Sequence, residues 1–356
     1  MSFAQRAWWN YIVNMAHSFG ARKGLARALA TAFALVVLVV GPNALLPSAA
    51  QAQGAADANP IKAVVGVAAR VPADARTAEH LGTEREGSGV VIGDGDLVLT
   101  IGYLIMEASE AEILLPGDRR VPADIVAYDY ETGFGLLRAL APLGVPPIGL
   151  GKSADLREDA QVLAVGYGNP PQIVPARVVS RRTFAGYWEY LLPEAIFTSP
   201  PHPGFGGAAL ITREGRLVGI GSLIVGEAVE DEARPGNMFV PIDALEPIYT
   251  DLLEKGRGLA TRPWLGVYSE EFRGHVIVTR VAPGGPASQA GVKPNDVIAE
   301  VDGVPVATLA EFYRAIWAQG DAGTKIKLTV VSPNGIRPVT VTSGDRYDWL
   351  KLAPTY

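Results

Sequence analysis

The sequence predicts a mainly β protein, and three observations carry that reading. Short apolar segments recur along residues 87–240, separated by turns of Gly, Pro and Asp. Glycine (40) and proline (27) are abundant, which suits barrels and sandwiches better than helix bundles. With 48% hydrophobic and 19% charged residues, the 356-residue chain can fill real cores, in two or three domains.

Residues 1–52 read as an export signal. Arg22, Lys23 and Arg27 flank a 13-residue apolar run at 28–40, Gly41-Pro42 breaks it, and Ala50-Gln51-Ala52 fits a small-x-small cleavage site. A bilayer span needs about 20 apolar residues, so a cleaved signal is expected, with a retained anchor as the alternative. Export implies the periplasm or the exterior. A small polar linker follows, and the apolar run 61–69 forms a short helix or an edge strand.

The strand pattern is clear from Gly87. Residues 90–92 and 97–99, around Gly93-Asp94-Gly95-Asp96, form a hairpin. Residues 111–115 and 121–128, around Pro116-Gly117-Asp118, form another, and 134–140, 161–165 and 176–180 continue the series. Ile242, Leu245, Ile248, Tyr249 and Leu252 then take helical spacing within 241–254, and Lys255-Gly256 ends that helix. Residues 256–262 are a linker, and a second domain spans 263–347, leaving 348–356 as a tail.

Composition excludes several chemistries. There are no cysteines, which removes disulfides, thiol catalysis and Cys-based zinc sites. The four histidines, His17, His80, His202 and His275, lack metal-ligand spacing, so neither metal nor cofactor is expected. Beyond residue 52 the chain holds 27 basic and 37 acidic residues, a net charge of −10. That argues against nucleic acid and anionic membrane surfaces as partners.

One stretch carries the function. His202-Pro203-Gly204-Phe205-Gly206-Gly207-Ala208-Ala209-Leu210 is a Gly/Pro turn between two apolar segments, and it runs on through Glu214-Gly215-Arg216-Leu217-Val218-Gly219-Ile220. It resembles the nucleophile loop of HtrA-family serine proteases. Gly87-Ser88-Gly89-Val90-Val91-Ile92, Leu97-Val98-Leu99-Thr100, Asp129-Tyr130-Glu131-Thr132-Gly133-Phe134 and Phe239-Val240-Pro241-Ile242 are similar to that family in the same order. The resemblance implies a trypsin-like double β-barrel over residues 53–255. It places the nucleophilic serine at Gly206, the general base at Tyr103 (within Leu99-Thr100-Ile101-Gly102-Tyr103), and the base's orienting aspartate at Gly133. A glycine offers no nucleophile and no carboxylate. A phenol with an ordinary pKa near 10 cannot shuttle protons at neutral pH as imidazole does. All three triad members are therefore absent, and an inactive homologue is expected.

Displaced chemistry has its own candidates. His202, Ser199 and Ser222 lie nearest in sequence, and each also suits a turn or strand-end role. The backbone N–H groups of Gly204, Phe205 and Gly206 form either an anion-binding nest or an ordinary Gly turn. Phe205 stands where the family has a small polar residue, which suggests a plug in the cleft. The acidic run 227–232 falls where the HtrA family has a specificity loop, as a ligand-repelling patch or simply a solvated loop. The family trimerises through aromatic residues near its mature N-terminus. Residues 53–86 contain none, so oligomerisation is open and a trimer lacks that basis.

Residues 263–347 resemble an HtrA-type PDZ domain. Trp264-Leu265-Gly266-Val267 is similar to its carboxylate-binding loop. Ala282-Pro283-Gly284-Gly285-Pro286-Ala287, Ala290-Gly291-Val292, Asp296-Val297-Ile298 and Val301-Asp302-Gly303 follow its signature. Leu309, Phe312, Tyr313 and Ile316 stripe one face of a helix over 308–317. The resemblance makes that face one wall of a peptide groove, and about half of the stripe is expected to reach it, the rest being core. A C-terminal peptide would add as a strand between 265–269 and this helix. Arg262, just before the loop, either adds a charge for the carboxylate or is an exposed linker residue. The expected role is thus an exported, inactive HtrA-like protein that binds polypeptides as adaptor, regulator or holdase. An active endopeptidase with displaced residues and a structural assembly subunit are the alternatives.

Overall fold

The computed structural model describes residues 59–258 and 261–352. The export signal, its cleavage site and the start of the linker lie outside the described residues. None of the described helices is long and apolar enough to cross a membrane.

Two six-stranded barrels form the first 180 described residues or so, each closed by its own first strand. The first holds β1 (Val64–Arg70), β2 (Glu84–Ile92), β3 (Leu97–Ile101), β4 (Glu110–Leu115), β5 (Arg119–Tyr128) and β6 (Phe134–Ala139), in the order β1-β2-β3-β6-β5-β4. The second holds β7 (Gln161–Gly166), β8 (Gln172–Gly186), β9 (Tyr190–Ser199), β10 (Ala209–Thr212), β11 (Leu217–Val225) and β12 (Gly236–Pro241), in the order β10-β11-β12-β9-β8-β7. Antiparallel closure leaves no sheet edge and lets alternate side chains fill each interior. Val91, Val98, Leu99, Ile113, Leu136 and Phe134 are fully buried in the first barrel.

The third sheet contains β13 (Val267–Phe272), β14 (His275–Val281), β15 (Val297–Val301), β16 (Val304–Pro305), β17 (Lys325–Ser332) and β18 (Gly335–Thr342). The helix Leu309–Trp317 packs on it, started by a capping box in which Thr308 and Glu311 exchange side-chain-to-backbone bonds.

Several elements differ from the sequence reading. The run 61–69 divides into a 3₁₀ turn, Pro60–Ala63, and β1, which pairs with both β2 and β4 and is no edge strand. The helix expected over 241–254 is broken into 3₁₀ turns Ile242–Ala244 and Glu246–Ile248 before an α-helix, Tyr249–Lys255. Pro247 has no N–H to continue the ladder, which accounts for the break. β8 extends to Gly186, well beyond the expected 180. Residues 346–352 fold back on the first barrel. There Tyr347 Oη donates to the Tyr128 carbonyl at 3.0 Å, and the Lys351 N–H donates to Glu107 at 2.8 Å.

Candidate functional site

The three positions that the HtrA resemblance assigns to a triad, Tyr103, Gly133 and Gly206, lie close together between the barrels. Tyr103 follows β3 on a single 3₁₀ turn, Gly102–Leu104. Its carbonyl is fixed by the buried Arg85 guanidinium, which also bonds to the carbonyl of Met106. Gly133 precedes β6, and its carbonyl accepts from the Gly102 N–H at 2.7 Å. Gly206 lies in the turn between β9 and β10, and its carbonyl accepts from the Ser88 N–H at 2.8 Å.

The side chains there leave little space for a triad. Tyr103 Oη donates to the Ser222 carbonyl at 3.0 Å across the barrel junction. Burial pushes this phenol's pKa up, so it stays neutral. A Cβ at Gly206 would lie 2.8 Å from Tyr103 Oη, closer than side-chain carbons normally come. Gly133 has φ +85°, a left-handed conformation that penalises any Cβ, and a Cβ there would meet Tyr190 Oη at 3.3 Å.

His202 is fully buried beside this turn. Its Nδ1 accepts from the Gly204 N–H at 3.0 Å, which leaves Nε2 to donate to the Gln172 carbonyl at 3.0 Å. Burial holds the ring below the usual imidazole range, against the bond to Gln172. In chymotrypsin-type sites the oxyanion is held by the N–H of the nucleophile and that of the residue two before it. Here the Gly204 N–H is already spent on His202. Ser199 Oγ donates to the Pro235 carbonyl at 2.9 Å, and Ser222 is buried. Phe205 is half-buried. In the acidic run, Arg182 binds the carbonyls of Glu227 and Ala228, and Glu232 pairs with Arg234 at the surface.

The Trp264–Val267 loop is built as a donor cradle. Trp264 bridges to Gly344 through both backbone bonds, and the carbonyls of Leu265 and Gly266 accept from Ala287 and Ala282. Gly266 has φ +77° and turns three successive N–H groups to one side. The Leu265, Gly266 and Val267 N–H groups all donate to the Glu189 carboxylate, at 2.9, 2.6 and 2.8 Å. Glu189 sits at the tip of the β8–β9 hairpin. The space between β13 and the helix Leu309–Trp317 is filled by that tip: the Ser269 N–H donates to the Tyr187 carbonyl at 2.9 Å, and Tyr313 Oη donates to the Gly186 carbonyl at 2.8 Å. Leu309, Phe312, Tyr313 and Ile316 are all buried, and Leu191 of the hairpin packs in the same cluster. Arg262 faces Glu131 at 2.9 Å and lies over Trp317, bonded to no part of the loop.

Sequence reasoning missed Glu189. The available signal was the density of aromatics, Phe184, Tyr187, Trp188 and Tyr190, around a turn that a solvated hairpin would keep polar.

The trypsin-like peptidase domain family matches residues 87–220, and the PDZ domain family matches 263–341. A probable periplasmic serine endoprotease, DegP-like, from Halomonas elongata is 27% identical, over 75% of this chain and 58% of its own length. The serine protease PepD of Mycobacterium tuberculosis is 29% identical, over 85% of this chain and 71% of its own. The chain thus spans less than two thirds of the length of the DegP-like relative. Among solved structures, the HtrA-type protease AlgWS227A with tripeptide superposes with a TM-score of 0.51 at 21% identity, over 80% of this chain and 94% of that one. AlgW with decapeptide gives 0.50 at 20%, over 83% and 97%. These likenesses concern the fold. Two barrels with a trypsin-like match, followed by a sheet and helix with a PDZ match, make this chain an HtrA/DegP homologue: a trypsin-like peptidase domain joined to a PDZ domain.

Proposed function

We propose that this HtrA homologue does not cleave peptide bonds and instead binds polypeptides through its PDZ domain, after export to the periplasm. The observation that carries the reading is Gly206 at the nucleophile's position with the Tyr103 hydroxyl set directly against it. Without a hydroxyl or thiol there is no acyl-enzyme, and losing one triad member already costs on the order of 10⁴ in rate. Gly133 supports it, since a left-handed glycine stands where a carboxylate would orient the base. So does His202, whose ring nitrogens are both engaged by backbone groups. The donor cradle at 265–267 supports carboxylate binding. The DegP-like relatives are named periplasmic, which supports the location. Those relatives are also named proteases, so the reading depends on the residues of this site.

Purified protein is expected to leave unfolded casein intact over hours and to resist labelling by a fluorophosphonate probe. Gly206→Ser alone should restore no turnover, because no base remains. Cleavage abolished by Ser199→Ala or Ser222→Ala would overturn the reading in favour of a displaced catalytic site.

A further inference from the structure

We propose that the tip of the β8–β9 hairpin is an internal ligand of the PDZ groove, and that a C-terminal peptide binds only by displacing it. The inference rests on the reading that this groove takes peptide C-termini. Three features of a bound C-terminus are reproduced by one short segment of the chain. The Glu189 carboxylate takes all three N–H groups of the loop, as a terminal carboxylate would. The Tyr187 carbonyl accepts from Ser269 of β13, as an added strand would. Leu191 fills the apolar side of the groove, within the cluster of Val267, Leu309 and Ile316.

The hairpin's own geometry supports a purpose beyond packing. Gly186 pairs with Tyr190, so 187–189 is a three-residue loop whose last residue turns left-handed. Glycine or asparagine usually takes that place. Here it is glutamate, with φ +54°. Tyr313 locks the tip from the helix, donating to the Gly186 carbonyl and accepting from the Glu189 N–H. A conformation that the residue dislikes is held by contacts to the other domain.

The exchange is chemically balanced. A peptide carboxylate replaces the Glu189 carboxylate bond for bond, so no donor of the loop is left unpaired, while Glu189 regains water. The internal ligand is tethered, so it competes at a high effective concentration. If the groove is free one time in a hundred, the apparent Kd of a peptide rises about 100-fold. The groove then answers only to ligands that offer more contacts than the hairpin does, or that are present at high local concentration.

The test uses the full chain, wild type and Glu189→Ala, with melting curves to establish that both are folded. Hydrogen exchange reads the occupancy directly. The Leu265, Gly266 and Val267 amides should be protected in the wild type and exchange at least about 10-fold faster in the variant, with Val276 and Val330 unchanged. Unchanged protection at all three amides would overturn the proposal. The second readout is binding of a fluorescein-labelled decapeptide ending in valine, as the acid and as the amide. Glu189→Ala should bind the acid at least about 10-fold more tightly than the wild type, and neither should bind the amide. Equal affinity of both proteins for the acid would also overturn it. Amides freed in the variant with no peptide bound by either protein would instead defeat the peptide-binding reading and leave the internal ligand standing. Should Glu189→Ala fail to fold, Glu189→Ser, too short to reach the loop N–H groups, should give the same faster exchange, and wild-type protection in it would overturn the proposal.

Discussion

Tyr103 and Gly133 show how single residues decide this site. Tyr103 is tied to Ser222 across the barrel junction, so its hydroxyl is a structural strut. Gly133 keeps a backbone conformation that aspartate would adopt only under strain, with Tyr190 Oη close by. Gly133→Asp should therefore destabilise the protein by about 1–2 kcal/mol, read as a Tm several degrees lower, with no gain of activity. A Tm equal to wild type would mean that the turn accommodates a carboxylate. The residue types here were legible in the sequence itself. Their surroundings were not: nothing along the chain says that the hydroxyls of Tyr103 and Tyr190 close the space.

At the scale of elements, the strands followed their apolar runs because several are buried on both faces: every residue of β3 and of β12 is buried. The helix Leu309–Trp317 was legible from its stripe and its Thr308–Glu311 box. Thr308→Ala should cost about 1 kcal/mol, seen in urea unfolding as a lower midpoint with an unchanged slope. No loss would place the start of the helix under tertiary control alone. The broken helix before Lys255 was misread because five apolar positions kept helical spacing through Pro247, and spacing is blind to a missing N–H. The stripe itself gave no way to separate core from groove: all four of its residues are buried, and part of what covers them is the β8–β9 hairpin.

For the whole molecule, the buried Glu189 couples the two domains to pH. Burial pushes its carboxyl up to about 7, against the loop N–H bonds and the Arg346 charge, which pull it down. A carboxyl whose docked value exceeds its ordinary 4.5 binds more protons docked than free. Docking then strengthens as pH falls from about 7 towards 4.5, and weakens as pH rises through that window. Tyr313 faces Glu189 from the helix, and Glu131 and Arg262 line the same small pocket. Glu131 is also pushed up to about 7, by burial against the pull of Arg262, so it titrates in the same range. The Tm of the wild type minus that of Glu189→Gln should fall between pH 5 and pH 8, and should do so equally in a Glu131→Gln background. A difference that stays flat, or one that vanishes with Glu131, would remove Glu189 from this role.

The sequence alone determined the order of a trypsin-like and a PDZ domain, and the residue types of the turn at 202–210, of Tyr103 and Gly133, and of the loop at 264–267. These are local facts: motif order and residue type are written along the chain, and a missing side chain is missing in any fold. Only the tertiary structure decided what meets that loop. Glu189 lies 76 residues before Leu265, and no periodicity or spacing links a hairpin tip to a loop in another domain. Their meeting depends on how the second barrel packs against the third sheet, and that packing is set by the summed burial of many residues.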